Sequence, residues 1–252
     1  MLYPDLNGKI AVVTGGSRGI GAATAGALAE SGVAVAVVGR DEAALEEVVQ
    51  GVTARGGRAL AVLADCTLPD DVARLAATVL ERLGVPDILL PFAGGNGMPV
   101  PTAQETAAHW REVVESNLTT TFMTTNAFLP AMIERGSGSI ITMSSSAARQ
   151  PAGSSAAYAA AKAGVIAFTR QLATEAAPAG IRVNCLAPSA IENARIRAWM
   201  TAEQRGELAE SFPLRRIGQP GDVASATLFL ASEASSWITG VTLDIAGGKI
   251  MV

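Results

Sequence analysis

Apolar residues along this chain follow two rhythms. Short runs rich in Val, Ile and Leu, such as "IAVVT" and "GVAVAVVG", alternate with longer Ala-, Leu- and Glu-rich segments whose apolar positions recur at helical spacing. Uninterrupted apolar runs suit strands covered on both faces, and the alternation is that of repeated βα units around a buried parallel sheet. The pattern predicts strands near 9–14, 33–38, 58–64, 87–91, 139–144, 181–186 and 241–245. Helices are predicted over 19–31, 41–55, 69–83, 105–133, 155–177 and 221–231. No linker, low-complexity tract or fixed-period repeat divides the chain. A single α/β domain over 1–252 is expected, of Rossmann type, with a doubly wound and mostly parallel sheet of about seven strands and helices on both faces.

Two stretches break the rhythm. "AGGNGMPVPTA" follows the fourth strand, and 188–218 intervenes between the sixth strand and the last helix. Both lie after the carboxyl ends of strands, where open α/β sheets place their ligands. They are expected to form the walls and lid of a substrate pocket. The 188–218 stretch offers Ile191, Ile196, Trp199, Met200 and Phe212 as apolar lining or as the inner face of lid helices. Arg215 and Arg216 would meet an anionic substrate or form a solvated pair.

The stretch "VVTGGSRGIGAATAG" joins the first strand to the first helix through Gly15, Gly16, Gly19 and Gly21. Bare backbone at the start of a helix offers unpaired amides and the positive end of the helix dipole, which favour a pyrophosphate. A plain tight connection would use the same glycines. The same residues also spell the serine-hydrolase pattern G-x-S-x-G around Ser17. That reading needs a histidine late in the chain, whereas the sole histidine, His109, opens a predicted helix and is expected on its solvated face. The second strand ends at Gly39 and Arg40. An arginine there accommodates the extra phosphate of NADP where an acidic residue would bind the ribose of NAD. Arg18 adds a second cation, Asp41 opposes them, and NADP(H) is favoured over NAD, with an ordinary surface arginine as the alternative.

Composition narrows the partners. With 49% hydrophobic and 17% charged residues and a formal charge of −4, the chain carries no basic stripe for nucleic acid. Its apolar runs fall far short of a bilayer span, and the first residues lack a secretory signal, so a cytoplasmic protein is expected. Cys66 and Cys185 stand apart with no metal-ligand spacing and are expected to be small buried hydrophobes, with no metal bound.

The chemistry concentrates in "SIITMSSSAARQPAGSSAAYAAAKAG". Tyr158 and Lys162 are four apart on a predicted helix and share a face. An ammonium beside a phenol favours the phenolate, which would bring the tyrosine towards a pKa suited to proton transfer near neutrality. The alternative is a surface pair. Ser144, Ser145 and Ser146 close the preceding strand, where a hydroxyl would hydrogen-bond a carbonyl or alkoxide.

With these motifs the chain resembles the short-chain dehydrogenase/reductase family over its whole length. "TGGSRGIG" matches the coenzyme turn, "SNL" at 116–118 the asparagine motif, Ser145 with "YAAAK" the catalytic motif, and "RIGQPGDVA" with "ITGVTLDIAGG" the carboxyl-terminal signature. The resemblance implies that Tyr158 exchanges the substrate proton, that Lys162 lowers its pKa and binds the nicotinamide ribose, that Ser145 orients the substrate oxygen, and that Asn117 holds a relay water to Lys162. Gly15, Ser17, Arg18, Gly19, Ile20, Gly21 and Arg40 would bind coenzyme, with Asp65 and Cys66 at the adenine and Ala93, Gly94, Pro188 and Ile191 along the remaining surface. Hydride would pass between NADP(H) and a small-molecule carbonyl or alcohol, in a homotetramer whose interface includes the terminal strand ending "KIMV".

The chain also departs from the family. Its "PFAG" replaces N-N-A-G, so Pro91 and Phe92 remove two polar ties at the sheet centre, and Phe92 is expected to plug the space. Pro188-Ser189 stands for Pro-Gly, and Asn193 for a threonine. Close relatives by these motifs reduce β-ketoacyl groups on acyl carrier protein, but Gly136 and Ala179 stand where their carrier-binding arginines belong. The substrate is expected to be a small ketone or alcohol or a β-ketoacyl group, and this departure favours the free ketone or alcohol. A non-catalytic dinucleotide-binding sensor or scaffold is the alternative from another class, against which the Asn117, Ser145, Tyr158 and Lys162 set argues.

Overall fold

The computed structural model describes residues 3–151 and 153–251. Seven strands run parallel in one sheet: β1 (Ile10–Thr14), β2 (Ala34–Gly39), β3 (Arg58–Leu63), β4 (Ile88–Pro91), β5 (Gly138–Met143), β6 (Ile181–Pro188) and β7 (Thr242–Ile245), ordered β3-β2-β1-β4-β5-β6-β7. The order reverses between β1 and β4, so the crevice above their carboxyl ends is the ligand position of a doubly wound sheet.

The apolar runs bury both faces with a period of two. Val13, Val35, Val37, Leu90 and Ile141 point to one side, where α1 (Gly19–Glu30), α2 (Glu42–Ala54) and α9 (Pro220–Ala231) cover them through Leu28, Leu45, Val223 and Leu230. Val12, Val38, Leu89, Ile140 and Val183 point to the other, against Leu75 of α3 (Pro69–Arg82), Phe128 of α5 (Thr120–Arg135) and Leu172 of α6 (Ala156–Ala176). Cys66 and Cys185 are free and buried, and among the described residues no three His, Cys, Asp or Glu side chains could hold a metal. No described helix is long and apolar enough to cross a membrane.

Two expectations need correction, and a third gains detail. The helix expected over 105–133 begins after Thr106, whose hydroxyl caps the His109 amide, and divides into α4 (Ala107–Val114) and α5 around a π-helical turn, Glu115–Thr119. The expected break in rhythm at 188–218 holds two short helices, α7 (Ala194–Trp199) and α8 (Ala202–Glu210). Its ends meet in a parallel bridge between Ile191 and Gly218. β7 stops at Ile245, so Lys249, Ile250 and Met251 lie beyond the strand, and Val252 lies outside the described residues.

The sheet centre is modified where the family pattern is lost. β4 stays in register with β1 as far as Pro91 but pairs with β5 only at Ile88 and Leu89. Phe92 is buried in the same core cluster as Met143 and Ile191, which makes it the expected plug. The Thr14 hydroxyl accepts the Ala93 amide at 3.0 Å and supplies a polar tie between β1 and the end of β4.

The first helix crosses the end of β1 at backbone contact. A Cβ on Gly21 would stand 2.1 Å from the Gly15 carbonyl oxygen, and Gly15 itself has φ +66° with the Phe92 carbonyl 3.0 Å from its Cβ position. Gly21→Ala is expected to lower stability by about 1–3 kcal/mol. A urea midpoint equal to that of the parent would show slack in this crossing.

Candidate active site

A cleft of about 1000 Å³ opens over the carboxyl ends of β1, β4 and β5. It is large enough for a dinucleotide with a small partner. One end is walled by Gly15, Ser17, Arg18, Gly19, Ile20 and Gly21, with Arg40, Asp65 and Cys66 beside them, and Ala93, Gly94, Ser145, Tyr158, Lys162, Pro188 and Ile191 complete the lining. The residues expected at the site therefore share one cavity, with Asn117 just behind its wall.

At the glycine-rich end the residue before α1, Arg18, makes no side-chain cap, and no acidic side chain occupies the first turn. The opening amides are left for an anion. The two expected cations already hold carboxylates. Arg18 reaches Asp41 at 2.9 Å, and Arg40 reaches Asp65 at 3.5 Å. Burial acts to raise the Asp65 pKa, but hydrogen bonds from the Thr67 amide and hydroxyl, with Arg40, prevail and hold it below the ordinary value. Cys66 next to it has its thiol pushed up to about 11, chiefly by burial, and is inert at neutral pH.

At the other end β5 delivers Ser144 and Ser145 to the cleft, and α6 begins after Ser155, whose hydroxyl accepts the Tyr158 amide at 3.2 Å. One turn later Lys162 is buried with its ammonium donating to the Met143 carbonyl at 2.9 Å and lying 5.7 Å from the centre of the Tyr158 ring. The Ser144 hydroxyl donates to the Lys162 carbonyl at 2.8 Å, which locks the strand end to the helix. Burial pushes the ammonium down to about 8, while the neighbouring Cys185 acts the other way.

The phenol differs from expectation. Burial raises the Tyr158 pKa above its ordinary value, and the opposing influence is the Ser145 hydroxyl, not Lys162. The desolvation of the phenolate outweighs a cation that is directed at a backbone carbonyl.

Asn117 sits in the π turn, fully buried. Its Oδ1 accepts the Gly95 amide at 3.1 Å, and its Nδ2 donates to the Gly95 and Val113 carbonyls at 3.0 and 2.9 Å. Both amide protons are committed, so the side chain clamps the loop after β4. A Cβ on Gly94 would lie 2.6 Å from the same Oδ1, which explains the glycine there.

Other expectations are relocated. His109 is not on a solvated face: it is half-buried, lines the cleft, and sits with Nδ1 2.5 Å from Oε1 of Glu105. No hydrogen bond joins it to Ser17 among the described residues, which removes support from the hydrolase arrangement. Asn193 caps α7, accepting the Ile196 amide at 2.9 Å. Of the apolar residues in 188–218, Ile191 lines the cleft, Phe212 is buried near Gly247, and Trp199 is exposed. Arg215 pairs with Glu210 and Arg216 with Asp222, so both are paired already. Arg135 donates to the Val85, Pro86 and Ser137 carbonyls and pairs with Asp87. Sequence reasoning missed the lining residues Val113, Ser116 and Thr120, although spacings of −4 and +3 put Val113 and Thr120 on the Asn117 side of a helix.

A family model described as "Enoyl-(Acyl carrier protein) reductase" matches residues 15–249. The chain belongs to the short-chain dehydrogenase/reductase family. It is 38% identical to the 3-oxoacyl-[acyl-carrier-protein] reductase of Synechocystis, covering 98% of both chains. It is 35% identical to the 7alpha-hydroxysteroid dehydrogenase of Escherichia coli K12, covering 97% of this chain and 95% of that one. A solved 7α-hydroxysteroid dehydrogenase, in complex with NADH and 7-oxo glycochenodeoxycholic acid, superposes with a TM-score of 0.93 at 34% identity over 99% of this chain and 97% of that one. This family member is thus an oxidoreductase acting on CH–OH groups with a nicotinamide cofactor.

The lysine gives a direct test. With the folded pKa near 8 against an ordinary 10.5, the native protein binds fewer protons than the unfolded chain between those values, so stability should rise with pH across that window. NMR of the lysine side chains should show Lys162 titrating near pH 8. A midpoint at the ordinary lysine value would show that the ammonium is solvated.

Proposed function

We propose that this enzyme transfers hydride between NADP(H) and a small free ketone or secondary alcohol, with Tyr158 as the general acid and base. The observation that carries the reading is the convergence of the Ser145 hydroxyl, the half-buried Tyr158 phenol and the buried Lys162 ammonium at the wall of one cleft. The bare glycine crossing at the other end, with uncapped amides and no room for a Cβ on Gly21, fits a pyrophosphate.

When bound, the nicotinamide supplies or takes up the hydride. In the reductive direction the Ser145 hydroxyl donates to the substrate carbonyl oxygen and orients it, while the Tyr158 Oη–H gives that oxygen its proton. Oxidation reverses both. Lys162 is charged below about pH 8 and stabilises the phenolate left behind. A phenol raised by burial favours the acid role, since it keeps its proton at neutral pH until the substrate oxygen takes it. Asn117 acts through Gly95, holding the loop that faces the reacting groups.

Arg18 and Arg40 favour the phosphorylated cofactor, and a 2′-phosphate would compete with Asp41 and Asp65 for them. Arg135 is drawn inward by backbone carbonyls, and no arginine occupies positions 136 and 179, which supports a free substrate over a carrier-bound one. The 188–218 stretch serves as the lid. The exposed Trp237, Val241 and Leu243 around β7 are consistent with a homotetramer, and the composition with a cytoplasmic one.

Tyr158→Phe should cut turnover at least a hundredfold while nucleotide binding, read by fluorescence titration, survives. Retained turnover would sink the assignment, and a parent protein that binds nucleotide without turning over any ketone or alcohol would favour a sensor. Arg40→Ala should weaken NADPH binding roughly tenfold and leave NADH binding nearly unchanged. Tighter binding of NADH than of NADPH by the parent would overturn the cofactor preference.

A further inference from the structure

The loop after β4 is held from two sides. Asn117 grips Gly95 from the scaffold, and Arg195 of α7 grips the next three residues from across the cleft. The Arg195 Nη1 donates to Asn96 Oδ1 at 2.9 Å and to the Gly97 carbonyl at 2.5 Å, and its Nη2 reaches the Met98 sulfur at 3.6 Å. The guanidinium also lies 4.3 Å from the centre of the Trp199 ring one turn along the same helix.

These contacts span nearly a hundred residues of sequence and join the two stretches that border the open side of the cleft. Asn96 and Gly97 line the cleft from the β4 side, and Glu192 and Asn193, just before α7, line it from the other. Arg195 is also unusual in its partners. Arg197 beside it pairs with Glu192, whereas the acceptors of Arg195 are all neutral, and it forms no ion pair among the described residues. Hydrogen bonds from a half-exposed guanidinium to neutral acceptors can break without stranding a buried counter-charge. Such a contact is strong enough to order two loops and weak enough to open on the timescale of ligand exchange.

We propose that Arg195 is a positioning residue that latches α7 to the loop after β4 and so sets how fast nucleotide and product leave the cleft. The release role rests on the nucleotide reading above; the latch itself does not. The planar fork is needed because one group must serve Asn96 and Gly97, reach Met98 and stack on Trp199 together. The compact ammonium of lysine cannot do so.

Hydrogen exchange of the protein without added nucleotide tests the latch. Arg195→Ala and Arg195→Lys should both lose protection at the bonded Gly95 amide and at 194–200, with the sheet unchanged. Stopped-flow displacement of reduced nucleotide tests the release role. Its dissociation should be roughly tenfold faster in both variants, the size of one lost hydrogen bond to a charged group. Asn96→Ala should give part of that increase and add nothing to Arg195→Ala. Unchanged exchange at Gly95 and at 194–200 in Arg195→Ala would overturn the latch. Altered exchange with an unchanged dissociation rate would overturn its control of release. If the parent protein bound no nucleotide, the functional reading and the release role would fall together, and exchange would still decide the latch.

Discussion

The cleft exists because three backbone segments touch without side chains between them. Gly15 lies against the carbonyl of Phe92, Gly21 lies against the carbonyl of Gly15, and Gly16 fills a space bounded by Val37 and the Val13 carbonyl. With no Cβ in the way, α1 starts immediately above the sheet, its free amides face the crevice between β1 and β4, and α6 on the opposite side brings a tyrosine and a lysine to the same crevice. Wider spacing at this crossing would tilt α1 away and carry its free amides out of reach of the Tyr158–Lys162 end.

Much of the fold was legible because its strands are buried on both faces. A strand such as Ala34–Gly39, covered by helices on each side, has to be apolar throughout, and that run stands out from an amphipathic helix by length alone. The glycine turn and the Tyr158–Lys162 spacing were legible for a related reason: each is a local pattern whose chemistry needs neighbours only a turn away. The interruption of the fourth predicted helix was not. The π turn carries Asn117, whose side chain bonds Gly95 22 residues away, and periodicity sees only local order, not tertiary partners.

The misread details share another cause. The proximity of Lys162 to Tyr158 is written in a spacing of four, but the sign of the tyrosine shift depends on how completely the phenol is desolvated, which is a property of the packed molecule. His109 was placed on a solvated face because a lone histidine at a helix start usually is; Glu105 and the neighbouring cleft decide otherwise. Arg215 and Arg216 are solvated, as one of the two sequence readings has it, and their carboxylate partners stand five and six residues away.

The short pairing of β4 with β5 carries a thermal consequence. Past Leu89 the left and right halves of the sheet are no longer joined by backbone hydrogen bonds, and near the cleft the apolar cluster of Phe92, Met143 and Ile191 sits at this joint. Asparagine side chains at positions 91 and 92 would have made a directional, largely enthalpic tie; apolar packing makes one whose strength falls as water is cooled. The cofactor crevice of this chain is thus fastened by a joint that slackens in the cold, so its rigidity follows temperature differently from that of a relative with polar ties at the same place.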